Sequence, residues 1–134
     1  MTDCSTLFRP FNQGGLTLDN RIVMAPMTRN ASPGNVPGDQ VVEYYRRRAA
    51  GGAGLIITEG TCIDHIAASG YPDVPYFHGS AALAGWQRVV DAVHAEGGRI
   101  AAQLWHVGAM RKAGTPPEGD VNGYSPSGMN MPGK

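Results

Sequence analysis

Apolar residues follow two different periods along the chain, and each period predicts one kind of element. Short continuous or alternating apolar runs predict a hairpin around Leu16–Leu18 and three strands, over about residues 21–25, 54–58 and 99–105. Apolar residues at helical spacing predict two helices between the strands, over about residues 40–50 and 81–96, the second capped by Ser80. Strands that alternate with helices run parallel, so the pattern predicts an α/β fold with a parallel sheet.

The predicted sheet is too small to be a complete fold. Three parallel strands present two open edges and an uncovered inner face, and a (β/α)8 barrel takes roughly 250 residues against the 134 present here. The chain can therefore supply fewer than half of the β/α units of such a barrel. After Gly108 the apolar periodicity ends, and Gly, Pro, Ser and Asn predict a long loop over residues 109–134.

Composition narrows the class of protein. The net charge is zero and charged residues make up 16% of the chain, so we expect no binding to nucleic acid. Cys4 and Cys62 form no paired motif, which favours a reducing compartment over a disulfide-bonded protein. Cys62 and His65 together supply too few ligands for a zinc site. Neither a signal peptide nor an apolar run long enough to span a membrane is apparent. We expect a soluble, cytoplasmic protein without a metal site.

Polar side chains follow each predicted strand at its carboxyl end, where parallel α/β folds build their binding sites. Thr28 follows the first strand, Glu59 follows the second, and Gln103 lies in the third with Trp105 and His106 after it. Gln103 has two interpretations. It is either a core amide bonded to backbone or a ligand contact, because its donor and acceptor suit the N–H and C=O edge of a flavin or a base.

Four motifs, in this order and with this spacing, resemble the Old Yellow Enzyme family of FMN-dependent NAD(P)H:flavin oxidoreductases, or ene-reductases. They are LFRP at 7–10, NRIVMAPMTR at 20–29, GLIITEG at 54–60 and HAEGGRIAAQLWHVG at 94–108. The resemblance implies that residues 1–134 are the N-terminal part of one FMN-binding TIM-barrel domain. The expected fold is a partial (β/α)8 barrel made of the first three β/α units and an N-terminal β-hairpin.

The resemblance also implies which residues would bind FMN. They are Ala25, Pro26, Met27, Thr28, Gly60 and Gln103. The first three would pack along the flavin ring, and the Thr28 hydroxyl would donate to its O4 edge and so tune its potential. Gly60, without a Cβ, would let the backbone approach the ring, and Gln103 would bond the pyrimidine edge. Tyr71 and Trp105 resemble residues that shape the substrate pocket above the flavin.

The catalytic groups of the family are not found in this sequence. The family holds the carbonyl oxygen of its substrate with a His-x-x-Asn or His-x-x-His pair, whereas the histidines here are followed three places on by Ala68, Ala81, Gly97 and Ala109. The proton-donating tyrosine and the phosphate site are absent as well. Where the family often has Arg after His-x-Gly, this chain has Ala109, with Arg111 two places on. We therefore assign no catalytic residue to this chain.

The function that the resemblance implies belongs to a completed barrel. NAD(P)H would reduce FMN, and hydride would then pass to an activated alkene such as an enone. We expect this to need a complementary C-terminal barrel section, from a second chain or from the rest of the same chain, and we expect 134 residues alone to be inactive. The alternative is a non-catalytic half-barrel, an interaction module without flavin. Its open edges would bind a partner or a second copy.

Overall fold

The computed structural model describes residues 3–112, 114–115 and 121–128, and its regular elements occur in the predicted order. The strands are β1 (Phe11–Gln13), β2 (Leu16–Leu18), β3 (Val23–Met24), β4 (Leu55–Cys62) and β5 (Ile100–Trp105). The α-helices are α1 (Asp39–Ala50) and α2 (Ser80–Ala95). Short 3-10 helices occupy Ser5–Phe8, Pro33–Asn35 and Gly108–Met110. No α-helix in these ranges combines the length and hydropathy needed to cross a bilayer.

The strands form two separate sheets. β1 and β2 pair antiparallel as the predicted hairpin, and the turn between them uses Gly14 and Gly15 at φ of 61° and 82°, which glycine adopts without steric cost. β3, β4 and β5 form a parallel sheet in that order, with β4 in the centre. Because α1 connects β3 to β4 and α2 connects β4 to β5, the chain contains consecutive β/α units.

The main core lies between the parallel sheet and the two helices. Its buried residues come from α1, from β4 and from α2: Val41, Tyr45, Ala49, Ile56, Trp86, Val89 and Val93. The predicted stripe of the second helix therefore faces the core, except that Val90 is only half-buried. Ile100 of β5 packs against this cluster from the sheet. The helix layer thus covers one face of the sheet, and the other face carries Gln103 and Trp105.

A β-bulge divides β4 into two halves. The alternation of side chains between the two faces of the sheet is reversed from one half to the other. Ile56 pairs with Ile100 and Ile57 with Ala101, but the register then shifts, and the next pairs are Gly60 with Gln103, Thr61 with Leu104 and Cys62 with Trp105. Two residues of β4, Thr58 and Glu59, therefore lie opposite the single residue Ala102. Without the extra residue, strict alternation would put Gly60 on the helix-facing side with Ile56.

Hydroxyl groups satisfy the backbone at the bulge. Thr58 Oγ1 accepts the N–H of Gln103 at 3.0 Å and donates to the carbonyl of Glu59 at 2.7 Å. Thr61 Oγ1 donates to the carbonyl of Gln103 at 3.0 Å. Because a buried backbone group without a partner is costly, these two threonines replace the ladder bonds that the bulge removes.

Several predicted boundaries were wrong. β3 is shorter than residues 21–25, and β4 continues past the predicted end at residue 58 to Cys62, because the bulge lets it resume pairing with β5. Ser80 does not cap α2; Gly79 occupies the N-cap position and Ser80 is the first helical residue. Residues 109–110 belong to a 3-10 helix rather than to the long loop. The parts of that loop at 113, 116–120 and 129–134 lie outside the described residues.

Candidate functional site

The predicted cofactor residues lie on β4, on β5 and in the segment that follows β3. Gly60 on β4 and Gln103 on β5 are direct partners in the register, so the side chain of Gln103 and the hydrogen that takes the place of a Cβ on Gly60 point to the same face. The stretch Ala25 to Thr28 follows directly after β3, the other neighbour of β4. Since adjacent strands are spaced by about 4.8 Å, β3 and β5 are roughly 10 Å apart, and β4, which carries Gly60, lies between them.

Gln103 has a side-chain amide that is open to a ligand. The backbone of Gln103 is bonded through its N–H to Thr58 and through its carbonyl to Thr61. Its half-buried side chain makes no hydrogen bond to the part of the chain that the structure describes. The interpretation of Gln103 as a core amide whose side chain is bonded to backbone is therefore wrong. An amide with a free donor and a free acceptor on a sheet face can bind one edge of a planar heterocycle.

The segment after β3 presents an exposed surface. Ala25, Pro26, Met27 and Thr28 are all exposed, and 52% of the surface of Met27 is accessible. Within residues 3–112, 114–115 and 121–128, the Thr28 hydroxyl has no hydrogen-bond partner. An exposed apolar run that ends in a free hydroxyl offers van der Waals contact and one hydrogen bond to a ligand lying across the sheet.

Trp105 covers Gly60 and contacts Tyr71. A Cβ built on Gly60 would lie 2.4 Å from Cδ2 and Cε3 of Trp105, so the ring that approaches this glycine is an indole from the same chain. The rings of Tyr71 and Trp105 stack with centroids 5.9 Å apart and planes inclined by 28°. The structure therefore brings together the two residues predicted to shape a substrate pocket. Their role toward a substrate stays a prediction.

A buried ion pair beside the site was not found by sequence reasoning. Arg29 Nη2 lies 2.9 Å from Glu59 Oε1, and the Arg29 backbone N–H donates to Glu59 Oε2 at 3.2 Å. The guanidinium also stacks on the Tyr44 ring at 3.6 Å from its centroid. The only signal in the sequence was adjacency, since Arg29 follows Thr28 and Glu59 precedes Gly60. The pair connects the two segments that carry those predicted contacts.

Tyr45 completes this network from α1. Its hydroxyl accepts the backbone N–H of Glu59 at 2.8 Å, at the bulge of β4. Burial raises the pKa of Tyr45 above its ordinary value, and the nearby Glu59 carboxylate raises it further, so the phenol stays protonated. Tyr45 is therefore a neutral structural group of the core and does not supply an acid or base near neutral pH.

Two histidines interact above the strand ends. His106 Nε2 and His65 Nδ1 are 2.9 Å apart, and the Tyr124 ring packs edge-on against both imidazoles. The N–H of Gly108 donates to His106 Nδ1 at 3.0 Å, and the N–H of Ala67 donates to His65 Nδ1 at 3.2 Å. His106 must then carry its proton on Nε2 and donate it to His65. This agrees with a structural role for His106 rather than acid–base catalysis.

Arg111 fastens the segment after β5 to the loop before α2. It is almost fully buried, at 1% exposure, and it donates to the carbonyls of Ser69, Thr115 and Val121. A buried guanidinium that donates to carbonyls of three separate segments holds those segments together. The position two residues past the family's usual arginine thus has a structural function here.

The arrangement offers hydrogen-bonding and stacking groups but little reactive chemistry of its own. Burial raises the pKa of the Cys62 thiol, which keeps it neutral and unreactive. Among the described residues, no group of three or more His, Cys, Asp or Glu side chains could hold a metal ion. The remaining groups of the site are the amide of Gln103, the stacked rings of Trp105 and Tyr71 and, in the segment after β3, the hydroxyl of Thr28.

Comparison with known proteins agrees with this geometry. The sequence model of the NADH:flavin oxidoreductase / NADH oxidase family matches residues 6–133. The chain is 42% identical over 123 residues to putative 12-oxophytodienoate reductase 4 of Oryza sativa subsp. japonica, covering 92% of this chain and 30% of the relative. It is 44% identical over 125 residues to flavin oxidoreductase hxnT of Emericella nidulans, covering 90% of this chain and 30% of the relative.

Solved structures show the same relationship. Morphinone reductase in complex with tetrahydroNAD superimposes with a TM-score of 0.79 at 47% identity, over 87% of this chain and 31% of that one. The Old Yellow Enzyme homologue of Zymomonas mobilis gives a TM-score of 0.72 at 42% identity, over 79% of this chain and 29% of that one. The chain therefore spans about 30% of the length of these relatives and has the fold of part of their TIM barrel.

Proposed function

Because the chain belongs to the NADH:flavin oxidoreductase / NADH oxidase family, we propose that it is the N-terminal section of an FMN-dependent enzyme that reduces activated alkenes. The relatives that support this include 12-oxophytodienoate reductases and morphinone reductase, whose names describe reduction. FMN, when bound, would accept hydride from NAD(P)H and pass it to an enone. The contribution of this chain would be to hold one side of the flavin and one wall of the substrate pocket.

The observation that carries the proposal is the free amide of Gln103. On the sheet face beside Gly60, the half-buried Gln103 presents a side-chain donor and an acceptor that have no partner within the described ranges and that a ligand could engage. The N–H and C=O edge of a flavin has the complementary pattern. The free hydroxyl of Thr28 lies in the segment after β3, the strand on the other side of β4 from Gln103. It suits the O4 edge of a flavin in the same way.

The remaining predicted contacts are weaker. The exposed Ala25, Pro26 and Met27 offer a surface for the flavin ring. The role proposed for Gly60 is to let its backbone come close to the flavin ring, although the indole of Trp105 lies over it in the structure. Trp105 and Tyr71 would then form the aromatic wall beside the flavin, where a flat enone could stack.

The shortness of the chain makes a complementary section part of the proposal. The β3 and β5 edges are open in the described sheet, and relatives about three times as long share the fold. We propose that the remaining barrel strands, on a second chain or on the rest of the same one, cover these edges. They would also supply the carbonyl clamp, the proton donor and the phosphate site.

The test is flavin binding by paired variants. In native mass spectrometry with a visible spectrum of the same sample, the isolated protein should be yellow and carry FMN, together with a second polypeptide or within a chain longer than 134 residues. Gln103→Ala and Thr28→Ala should weaken FMN binding and shift its reduction potential. Gln87→Ala, an exposed amide of α2, and Thr17→Ala, an exposed hydroxyl of the hairpin, are matched controls that should change neither quantity.

The opposite outcomes are equally clear. A colourless protein made only of 134-residue chains would favour the non-catalytic half-barrel. Flavin bound with unchanged affinity and potential in the Thr28 and Gln103 variants would keep the family activity but remove the roles assigned to these two residues.

A further inference from the structure

The orientation of Trp105 is determined by its neighbours on β4. The bulge at Thr58 and Glu59 turns Gly60 and Cys62 onto the face of β5 that carries Trp105. Cys62 is the direct register partner of Trp105, and Gly60 lies one place before it on the same face. A regular strand would have sent both residues to the helix layer instead.

Gly60 provides the space for the indole. Its hypothetical Cβ would lie 2.4 Å from two indole carbons and 2.8 Å from a third, all of them in the ring system. A fused aromatic ring cannot bend away as the end of a flexible side chain can. Any side chain at position 60 would therefore displace the indole from the surface of β4.

Cys62 provides a hydrogen-bond acceptor for the indole. Trp105 Nε1 donates to Cys62 Sγ at 3.0 Å, and the cysteine is only 1% exposed, packed with Ala68 and Val74. The sulfur is a weak acceptor, but an indole N–H that is removed from water needs a partner. The bond fixes which edge of the ring points along the strand toward Cys62, and Tyr71 stacks on the same ring.

We propose that Gly60 and Cys62 are positioning residues that hold the indole of Trp105 in one orientation, and thereby set the shape of the pocket that Trp105 lines. The part of this that concerns the pocket rests on the proposed function. The orientation itself does not, because all the contacts are made within this chain.

The test observes the two indole N–H groups separately by ¹H–¹⁵N NMR. Trp105→Phe assigns the resonance of Trp105, and that of Trp86, whose N–H donates to the Tyr76 carbonyl at 2.9 Å, is an internal control for the fold. Cys62→Ala should move the Trp105 resonance and accelerate its hydrogen exchange at least tenfold, without changing that of Trp86. Cys62→Ser, which retains an acceptor, should restore most of the protection.

Two results would overturn the proposal. One is a Trp105 resonance with the same shift and exchange rate in the Cys62→Ala and unaltered proteins. The other, which needs no variant, is an indole N–H of Trp105 that exchanges in the unaltered protein as fast as a free indole. Neither measurement involves flavin, so a failure of the proposed function would leave both readouts unchanged. A failure of the positioning role would leave flavin binding as it was.

Discussion

Arg29 and Glu59 form an ion pair that links the end of β3 to the bulge of β4. The carboxylate is completely buried, the guanidinium side chain is 18% exposed, and Nη2 and Oε1 are 2.9 Å apart. The backbone N–H and the Nε–H of Arg29 donate to the same carboxylate. One residue therefore supplies three hydrogen bonds to Glu59. The position of Thr28, one residue before Arg29, therefore depends on a charge located on the neighbouring strand.

Removing one partner of this pair should destabilise the fold strongly. Arg29→Met leaves the Glu59 carboxylate buried without a counter-charge, which typically costs on the order of 3 kcal/mol. We expect a correspondingly lower midpoint in urea-induced unfolding followed by circular dichroism. Adding Glu59→Gln to the same protein should recover part of the loss, because the uncompensated charge is then gone.

The matched control is Arg46→Met. Arg46 pairs with Glu43 and Glu96 on the exposed surface of α1 and α2, where water screens the charges. We expect a much smaller shift of the urea midpoint than for Arg29→Met. Equal shifts for the two variants would mean that burial of the Arg29–Glu59 pair does not govern its contribution.

Gly85 should be intolerant of alanine although it lies inside a helix. Alanine in an open helix is favoured over glycine by roughly 1 kcal/mol. A Cβ at Gly85, however, would lie 2.5 Å from the backbone carbonyl oxygen of Pro37, against which α2 is packed. Because backbone cannot move aside cheaply, we expect Gly85→Ala to destabilise by about 1–3 kcal/mol in the same urea assay.

Gly38→Ala is the control for this substitution. Nothing lies within 4 Å of a Cβ at Gly38, and its φ of −97° suits any residue. As this residue is the N-cap of α1, where glycine is preferred to alanine, we expect a loss of less than about 1 kcal/mol. Stabilisation by Gly85→Ala would contradict the close contact between α2 and Pro37.

The sequence was sufficient to predict the elements and their order because they follow from local periodicity. The apolar run at Leu55 to Ile57 predicts a buried strand, and the stripe from Trp86 to Val93 predicts a core-facing helix, and the structure confirms both. The family motifs then led to the partial TIM barrel, which the comparisons confirm. Local sequence patterns did not predict the helix N-cap or the strand ends correctly, because pairing between strands determines where a strand ends.

The bulge of β4 could not be predicted, because alternation gives no signal for an extra residue. Strict alternation from Ile56 would have placed Gly60 against the helices, so the facing of the site depends on Thr58 and Glu59. The Arg29–Glu59 and His65–His106 contacts join residues 30 and 41 positions apart. Such pairs depend on the assembled sheet, and a single sequence contains no record of them. The flavin and substrate roles of the site residues remain predictions.

The open edge of β5 should make the isolated chain associate with itself. Leu104 is 57% exposed at this edge, and an unpaired strand with an apolar side chain is a template for further pairing. We expect concentration-dependent association in sedimentation velocity, weakened at least tenfold by Leu104→Lys. Leu16→Lys, at a 40% exposed position in the hairpin, should have no such effect. A strictly monomeric chain at all concentrations would count against an uncovered edge.

The His65–His106 contact should make stability depend on pH. The Nδ1 atom of His106 already accepts the backbone N–H of Gly108, so a proton added there would replace an acceptor by a donor facing a donor. Burial, and then the neighbouring His65, lower the pKa of His106 below its ordinary value of 6.5. The folded protein thus holds His106 neutral under conditions in which the unfolded chain begins to bind a proton.

This linkage fixes the direction of the effect. A histidine whose pKa is lowered by folding contributes no penalty above about pH 6.5, and it costs stability as the pH falls below that value, because the unfolded state then binds more protons. Urea midpoints measured from pH 7.5 to 5 should therefore fall less steeply for His106→Gln than for the unaltered protein. His94→Gln, at an exposed position on α2, should keep the original slope. If all three proteins showed one slope, the imidazole contact would have no part in the acid sensitivity of this fold.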